Sequence, residues 1–487
     1  MGVLDGLKPE SVFYYFEKIS QIPRGSGNEK QISDYLKQFA KDRGLACVQD
    51  ELHNIIIIKE ATPGYEQEEP YILQGHMDMV AVKKPDCDLD LTKDALRLCV
   101  KDDRVRAQGT SLGGDDGIAV AYILALLDAQ EISHPRLEMV VTTEEETGLT
   151  GAHGIDLSML HGRQLINLDN EEEGVIITSC AGGARVDVVI PVQREQIPEE
   201  GMTALQVAVK GLLGGHSGSE IDKGRGNANY LLGRILQEAA KQYDIRLVQM
   251  NGGQADNAIP RHADATIMVL KEEKEKVTAL IDGAADQIKK ELQTADPDFY
   301  VEWKEQSDYG REMNQCVLAA STKQVFSCMT SLPNGIVSMS KDVEGLVQTS
   351  LNLGVMTMKE EGVHLTYAVR SSIDQEKEEL CHSMQQIAGQ AGAKITVKSS
   401  YPGWAYRKES PLRNKAAAVY ERMYGRKPEL QAIHAGLECG ILAAKIPGLD
   451  CISIGPDMSD VHTTEESLSI ASTARVWEYL LAVLAEK

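Results

Sequence analysis

The sequence predicts an α/β protein in which a domain with a mixed, largely parallel sheet flanked by helices is interrupted by an inserted α+β domain. At 487 residues the chain is longer than one hydrophobic core usually supports, so more than one domain is expected. Short β-branched runs alternate with helical patterns up to about residue 188 and again from about residue 400. The simplest interpretation is a discontinuous domain, residues 1–188 and 400–487, with an insertion at 189–399.

The first part of the chain has clear periodic signals. Ile32, Tyr35, Leu36 and Phe39 recur at the spacing of one buried helical face, which predicts a helix over about 28–43. The patterns that follow predict strands at 53–59 and 71–74, a helix at 118–127, and strands at 137–143 and 164–168. This alternation is typical of a sheet covered on both faces, in which functional groups lie beyond the carboxyl ends of the strands.

The insertion and the C-terminal part are interpreted in the same way. In the insertion, strands are expected at 203–210, 258–270 and 363–369, and a charged helix at 271–293. After residue 400 we expect a helix at 411–424, a buried strand at 451–454 and a closing helix at 468–485.

Composition excludes several classes of function. The net charge of −23 would repel nucleic acid and anionic lipid head groups, so neither is an expected partner. No apolar run approaches the ~18 residues that a membrane span needs. The nine cysteines include no C-x-x-C pair and fit a reducing compartment. The chain starts without a secretory signal pattern, so a cytoplasmic location is expected.

Two His-x-Asp triplets occur in the chain. His76 and Asp78 follow the predicted strand at 71–74, and alternation along an extended chain puts both side chains on one side. His262 and Asp264 lie inside an alternating strand pattern with no other cluster of metal-ligand residues nearby, so we interpret them as a solvated strand face. The position of the first triplet at the end of a buried strand makes it the candidate.

Acidic residues stand near three further element ends. Asp115 lies in a glycine-flanked stretch that opens a helix, where a helix N-cap is the ordinary interpretation. Glu145 and Glu146 belong to three adjacent glutamates directly after a buried strand, and such a run is usually a solvated face. Asp169 ends the next predicted strand.

His462 follows the predicted strand at 451–454 and completes the set. Each position has an ordinary explanation on its own, but acids and imidazoles at successive strand ends converge on one sheet edge. Mixed oxygen and nitrogen ligands suit zinc-like metals, and a divalent cation would turn the repulsion between adjacent acids into attraction. Two metals about 3.5–4 Å apart, bridged by one carboxylate, would activate water and polarise a carbonyl.

Several motifs resemble the dinuclear zinc peptidase family of aminoacylases, carnosinases and bacterial di- and tripeptidases. They are H-M-D at 76–78, G-G-D-D-G at 113–117, T-E-E-E-T-G at 143–148, N-L-D-N-E at 167–171 and P-D-M-S-D-V-H at 456–462. Supporting stretches, among them Gly214–Gly218, Asn257–Arg261 and Ile433–Cys439, extend the resemblance over nearly the whole chain. All occur in the order typical of the family, on both sides of the expected insertion.

The resemblance implies a role for each candidate. Asp115 would bridge two metals, Glu146 and His462 would complete one metal site, and His76 and Asp169 the other. Glu145 would be the general base that takes a proton from water and passes it to the leaving amine. Asp78 would orient the imidazole of His76. The metals implied are zinc ions, with manganese or cobalt as alternatives.

The resemblance also assigns residues of the insertion, which it implies is a lid and dimerisation domain. His216 is similar to the family histidine that stabilises the tetrahedral oxyanion, in some members across a dimer, although a loop histidine between glycines is the ordinary interpretation. Asn257 and Arg370 match positions that contact the substrate's main chain or terminal carboxylate. Arg370 could equally be a surface strand residue.

The function implied is a metal-dependent dipeptidase, a homodimer that hydrolyses unblocked dipeptides of the Xaa-His type. An N-acyl amino acid amidohydrolase would use the same metals and base, and the motifs do not separate the two. A non-catalytic metal-binding protein is a third hypothesis, which predicts loss of Glu145 or of a metal ligand. The sequence keeps all of these residues.

Overall fold

The protein is described from a computed structural model over residues 2–198, 200–306 and 315–487. Up to residue 180 its elements are α1 (Glu10–Ile19), α2 (Lys30–Asp42), β1 (Ala46–Gln49), β2 (Ile55–Lys59), β3 (Tyr71–His76), β4 (Leu98–Lys101), β5 (Arg104–Ala107), α3 (Gly114–Asp128), β6 (Leu137–Thr142), α4 (Glu145–Gly148), α5 (Thr150–Gly154), β7 (Gln164–Asn167) and β8 (Val175–Cys180).

The middle of the chain contributes β9 (Gly182–Pro191), β10 (Arg194–Gln196), β11 (Met202–Lys210), β12 (Gly215–His216), α6 (Ala228–Gln242), β13 (Arg246–Gly252), β14 (Ala258–Ile259), β15 (Ala263–Leu270), α7 (Lys274–Glu291), β16 (Tyr300–Gln306), β17 (Gln315–Val317), α8 (Ala319–Ser331), β18 (Gly335–Met339), β19 (Val347–Met358), β20 (Gly362–Ser371), α9 (Asp374–Gln390) and β21 (Lys394–Tyr401). The C-terminal part adds α10 (Pro411–Tyr424), β22 (Glu429–Ile433), α11 (Glu438–Lys445), β23 (Asp450–Ser453), β24 (Met458–Ser459), β25 (Ser467–Ser469) and α12 (Ile470–Ala485).

The chain divides into two compact units. The first comprises residues 1–180, 406–432 and 437–487, and the second comprises residues 181–405 and 433–436. The boundaries expected at 188 and 400 stay a prediction, and in the structure these positions lie within β9 and β21.

The first unit is built on an eight-stranded mixed sheet with the order β1-β2-β6-β3-β7-β23-β8-β22. Its centre, β6-β3-β7-β23, is parallel, and β2 and β8 pair antiparallel on either side. The predicted mixed α/β sheet is therefore confirmed. Because β3, β6 and β7 run in one direction, their carboxyl ends meet at one edge, and the residues that follow them are brought together.

A fully buried helix supports this edge. Every residue of α3 from Gly114 to Leu127 is buried, as expected for a helix that is apolar on all sides. Helix α1 packs against it, and the ring of Tyr122 stacks on that of Trp477 with centroids 5.8 Å apart. The start of α3, which carries Asp115, is thus anchored in the core of the unit.

The second unit has a nine-stranded sheet whose main path is β16-β11-β15-β13-β19-β20-β9-β21, with β18 paired to β19. All the strand pairs described in this sheet are antiparallel. Helices α6, α7, α8 and α9 supply apolar side chains to its core, which makes the unit α+β.

The prediction of a single strand at 258–270 is wrong in one respect. The structure has two strands there, β14 and β15, separated at Pro260. Proline has no N–H to donate to a strand ladder, so it ends the first pairing, and β14 pairs with β12 whereas β15 joins the large sheet. Within the described ranges, no helix combines the length and the apolarity needed to cross a membrane.

Candidate metal centre

His76 is the last residue of β3 and lies at the carboxyl end of the parallel strands. Its side chain is 1 % exposed. Nε2 lies 3.0 Å from an oxygen of Asp115 and 3.6 Å from an oxygen of Asp169. Nδ1 lies 3.4 Å from an oxygen of Asp78. One ring nitrogen therefore faces two predicted ligands, and the other faces the residue predicted to orient the ring.

Asp115 places one carboxylate oxygen against each of two imidazoles. Its Oδ1 lies 3.0 Å from Nε2 of His76, and its Oδ2 lies 3.1 Å from Nε2 of His462. The same nitrogen of His462 is 2.9 Å from Oε1 of Glu146. A carboxylate that stands between two imidazoles in this way has the arrangement of a bridging ligand.

The backbone that presents these side chains is unusual at two positions. Glu144, between β6 and α4, has φ 49°, and His462 has φ 62°. Residues other than glycine rarely adopt this left-handed region, and where they do the surrounding structure holds them there, often at functional sites. The first position lets the chain turn sharply after β6, so that Glu145 and Glu146 follow the strand at once.

Asp78 is a fully buried carboxylate that links His76 to this turn. It accepts a hydrogen bond from the hydroxyl of Ser26 at 2.9 Å and from the backbone N–H groups of Glu145 and Glu146 at 3.1 and 3.3 Å. Burial alone would raise the pKa of Asp78, but the bond with His76 and these donors hold it below its usual value. Asp78 therefore stays charged and fixes both the imidazole and the glutamate turn.

The electrostatics of the cluster are those of crowded acids. Burial raises the pKa of Asp169 to about 8 and that of Glu145 well above its usual value, and neighbouring carboxylates add to both shifts. The hydrogen bonds to Asp115 and Glu146 raise the pKa of His462 to about 11. The raised pKa values mean that these acids and this imidazole, considered without a metal, hold protons more strongly than usual. A divalent cation would supply the same positive charge in their place.

The donor atoms fit divalent metals. Three groups bring one ligand atom from each member within 4.8 Å of the others, namely His76, Asp116 and Asp169; His76, Glu145 and Glu146; and Asp115, Glu146 and His462. Two imidazoles and several carboxylates are the ligand types that zinc, manganese and cobalt share. All the predicted metal ligands are brought together, and Asp116 is a neighbour that the sequence analysis did not propose as a ligand. His262 and Asp264 lie in none of these groups.

His216, Asn257 and Arg370 belong to the second unit. His216 lies in β12, its backbone N–H donates to Glu220 at 2.8 Å, and its Nδ1 accepts from the N–H of Ser219 at 3.1 Å. The N–H of Ser217 donates to the carbonyl of Asn257 at 2.8 Å. The two predicted residues are therefore held on adjoining, hydrogen-bonded segments.

Arg370 and His434 lie beside His216 in the same unit. A Cβ atom built on Gly218 would be 2.5 Å from the carbonyl of His434, 2.9 Å from Cε1 of His216 and 3.2 Å from Nε of Arg370. Burial and the charge of Arg370 lower the pKa of His434 to about 4, and they also lower the pKa of His216. The guanidinium of Arg370, the imidazole of His216 and the carbonyl of His434 thus surround a position that only glycine fits.

Several residues of these clusters were not singled out by sequence analysis. Ser26 and Arg24, whose guanidinium donates to the carbonyl of Gly113, precede α2 in a loop that has no periodic pattern, so no signal in one sequence identifies them. Glu466, whose carboxylate accepts from the N–H of Asp115, follows another glutamate, and only the fold shows which of the two is buried. His434 and Glu438 lie in the stretch Ile433–Cys439, which the resemblance included without giving its residues a role.

The chain is similar in sequence to known peptidases. The sequence profile of the family described as Peptidase family M20/M25/M40 matches residues 72–486. The chain is 37 % identical over 486 residues to the cytosol non-specific dipeptidase of Escherichia coli K12, and the match covers 100 % of this chain and 99 % of that protein.

Solved structures show the same fold. The crystal structure of aminoacylhistidine dipeptidase from Vibrio alginolyticus superposes with a TM-score of 0.92 at 36 % identity, covering 99 % of this chain and 97 % of that one. The aminopeptidase PepT from Bacillus cereus gives a TM-score of 0.51 at 16 % identity, covering 98 % of each chain, which shows likeness of fold alone.

Replacing Asp115 by asparagine should lower the metal content of the purified protein at both sites. An amide lacks the negative charge and the second acceptor oxygen that a bridging ligand needs. Elemental analysis of dialysed protein measures the metal per chain. His262→Ala is the matched control, because this triplet lies outside the cluster, and it should keep the wild-type content. Equal metal contents in the two variants would contradict the ligand assignment.

Proposed function

The chain belongs to peptidase family M20/M25/M40 and is a metallo-dipeptidase, and we propose that it cleaves unblocked dipeptides of the Xaa-His type at a centre of two divalent metal ions. The observation that carries the proposal is the carboxylate of Asp115 between the imidazoles of His76 and His462, with Glu145 close to His76. The relatives named dipeptidase match this chain over nearly its whole length, which supports the substrate class.

The proposed ligands divide into two sets that share Asp115. His76 and Asp169 would hold one ion, and Glu146 and His462 the other. When bound, two such ions lower the pKa of water and polarise the carbonyl of the scissile bond. Zinc is the metal proposed, because it accepts both imidazole nitrogen and carboxylate oxygen, with manganese and cobalt as the alternatives to be measured.

Glu145 is the proposed general base. Its backbone is fixed by the hydrogen bond to Asp78, and burial raises the pKa of its carboxyl group. A base with raised proton affinity can take a proton from the attacking water and then give it to the amine that leaves. Glu146, the next residue, is directed at His462 instead, so the two glutamates are proposed to divide the roles of base and ligand.

The second unit is proposed to act as a lid that recognises the substrate and stabilises the oxyanion. His216 would donate a hydrogen bond to the oxyanion of the tetrahedral intermediate. Arg370 would bind the terminal carboxylate and Asn257 the main chain. The cluster around Gly218 supports this assignment, because a guanidinium whose Nε lacks a partner among the described residues suits a carboxylate.

The remaining parts of the proposal are a homodimer and a cytoplasmic location. The location is supported by the name of the Escherichia coli relative and by the cysteines, since all nine lie in the described ranges and none is in a disulfide. The dimer follows from the family resemblance, and the partners proposed are small peptides alone.

Hydrolysis of Ala-His should exceed that of N-acetyl-His by the zinc-loaded protein, measured as release of free histidine. The two substrates share the histidine and its carboxylate, and Ala-His has in addition a free amine and one further carbon. Preference for the acetylated compound would instead identify an N-acyl amino acid amidohydrolase. Cleavage of neither compound by a metal-loaded protein would contradict the proposed activity.

Glu145→Gln should reduce kcat by about 10²–10⁴-fold, because the amide keeps the shape of the side chain but cannot accept a proton. Its metal content should remain that of the wild type. Glu144→Gln, the neighbouring glutamate that lies in none of the ligand groups, serves as the control and should keep its kcat. A Glu145→Gln enzyme with more than about a tenth of the wild-type kcat would exclude Glu145 as the base.

His216→Ala should lower kcat/KM by about 10²–10³-fold with metal content unchanged, which is the usual cost of losing one oxyanion donor. His262→Ala, an exposed histidine of the same unit, is the control. Wild-type kinetics in the His216 variant would remove this residue from the mechanism. Mixing inactive Glu145→Gln and inactive His216→Ala proteins under conditions of subunit exchange then tests the dimer, since recovered activity requires that the histidine act across subunits.

A further inference from the structure

One buried carboxylate binds the loop that carries the bridging aspartate. Glu466, 4 % exposed, accepts hydrogen bonds from four consecutive backbone N–H groups. Its Oε2 receives those of Leu112 and Gly113 at 2.7 and 2.9 Å, and its Oε1 those of Gly114 and Asp115 at 2.8 and 3.3 Å. Successive N–H groups that converge in this way form an anion-binding nest, and here the anion is a side chain of the protein itself.

A buried cation binds the same loop from the other side. Arg24, 2 % exposed, donates to the carbonyls of Met77 and Asp78 at 3.0 and 3.1 Å and to the carbonyl of Gly113. Gly113 has φ 66°, and a Cβ atom there would lie 2.6 Å from Nη2 of Arg24. Glycine is therefore required both by the left-handed conformation and by the close approach of the guanidinium.

The two side chains connect three segments that carry proposed ligands. Glu466 lies four residues after His462, and its carboxylate reaches the backbone of Asp115. Arg24 joins the same loop to the residues directly after His76. Without the bonds to Glu466, four backbone N–H groups of this loop would be buried without acceptors. Buried donors without acceptors destabilise a conformation, so the loop would shift to one in which these groups are satisfied.

We propose that Glu466 and Arg24 are positioning residues that hold Asp115 between His76 and His462 and so preform the metal centre. Neither residue lies in any of the ligand groups, so they act through Asp115. The inference rests on the proposed function only in taking Asp115 as a metal ligand. It says nothing about the substrate, so metal binding tests it without any measurement of catalysis.

The experiment compares Glu466→Gln with Glu465→Gln. The amide nitrogen of glutamine cannot accept a hydrogen bond, so two of the four N–H groups lose their acceptor. Glu465 is an exposed neighbour that pairs with Lys84 and serves as the control. Zinc affinity of each metal-free protein is measured by competition with a chromophoric chelator. We expect a Kd about 10–100-fold weaker for Glu466→Gln and a wild-type Kd for Glu465→Gln, as is usual when a group that orients a ligand is lost.

Two further measurements separate positioning from general stability. Zinc should raise the Tm of Glu466→Gln less than that of the wild type, whereas a merely structural defect would lower Tm equally with and without zinc. At saturating zinc, the variant should regain kcat with KM unchanged. A wild-type Kd for zinc in the folded Glu466→Gln protein would overturn the proposal.

Arg24→Lys keeps the inference testable if Glu466→Gln does not fold. An ammonium cannot reach three carbonyls with the fixed fork of a guanidinium, so zinc affinity should again fall while the charge is kept. Wild-type zinc affinity in Arg24→Lys would then overturn the proposal. A wild-type protein that binds zinc but leaves dipeptides intact would contradict the proposed function, while the variant affinities would still decide the role of Glu466.

Discussion

The interaction on which the rest of the site depends is the mutual repulsion of carboxylates at one sheet edge. Asp116, Glu145, Glu146 and Asp169 belong to the groups around His76, and an oxygen of Asp115 lies 3.0 Å from Nε2 of this histidine. Burying like charges together is unfavourable unless positive charge or hydrogen-bond donors offset it. The protein supplies imidazoles, the buried guanidinium of Arg24 and backbone N–H groups, and the negative charge that remains favours a bound cation.

The parallel centre of the sheet explains why these residues meet. In register, His76 of β3 lies opposite Thr142 of β6, and Gln74 of β3 opposite Asn167 of β7. The proposed ligands lie at or directly after the carboxyl ends of these strands. One layer below, the amide of Asn167 donates to Gln74 at 2.7 Å, and the hydroxyl of Thr142 donates to Glu438 at 2.6 Å. This buried polar layer fixes the strand ends against one another, so the ligand-bearing turns start from fixed points.

Sequence reasoning could identify the strand ends but not the contacts that stabilise them. The proposed ligands could be located in the sequence because short-range patterns mark a buried strand, and an acid or histidine that follows it is unusual. Arg24 and Glu466 act on a loop about 90 and 350 residues away along the chain, and no local pattern carries that information. The break in the predicted strand at 258–270 was by contrast readable from the sequence, because Pro260 has no N–H to donate to a strand ladder.

The two units carry opposite kinds of binding chemistry. The first gathers carboxylates, which suit cations, whereas the second places Arg370 beside two imidazoles that stay neutral at neutral pH because burial and the guanidinium lower their pKa values. Neutral imidazoles can donate a hydrogen bond without adding further charge, so the cluster suits a single carboxylate better than a polyanion. An unblocked dipeptide has one carboxylate and one peptide carbonyl for a metal centre to polarise. Each cluster therefore has the chemistry that one group of such a substrate requires.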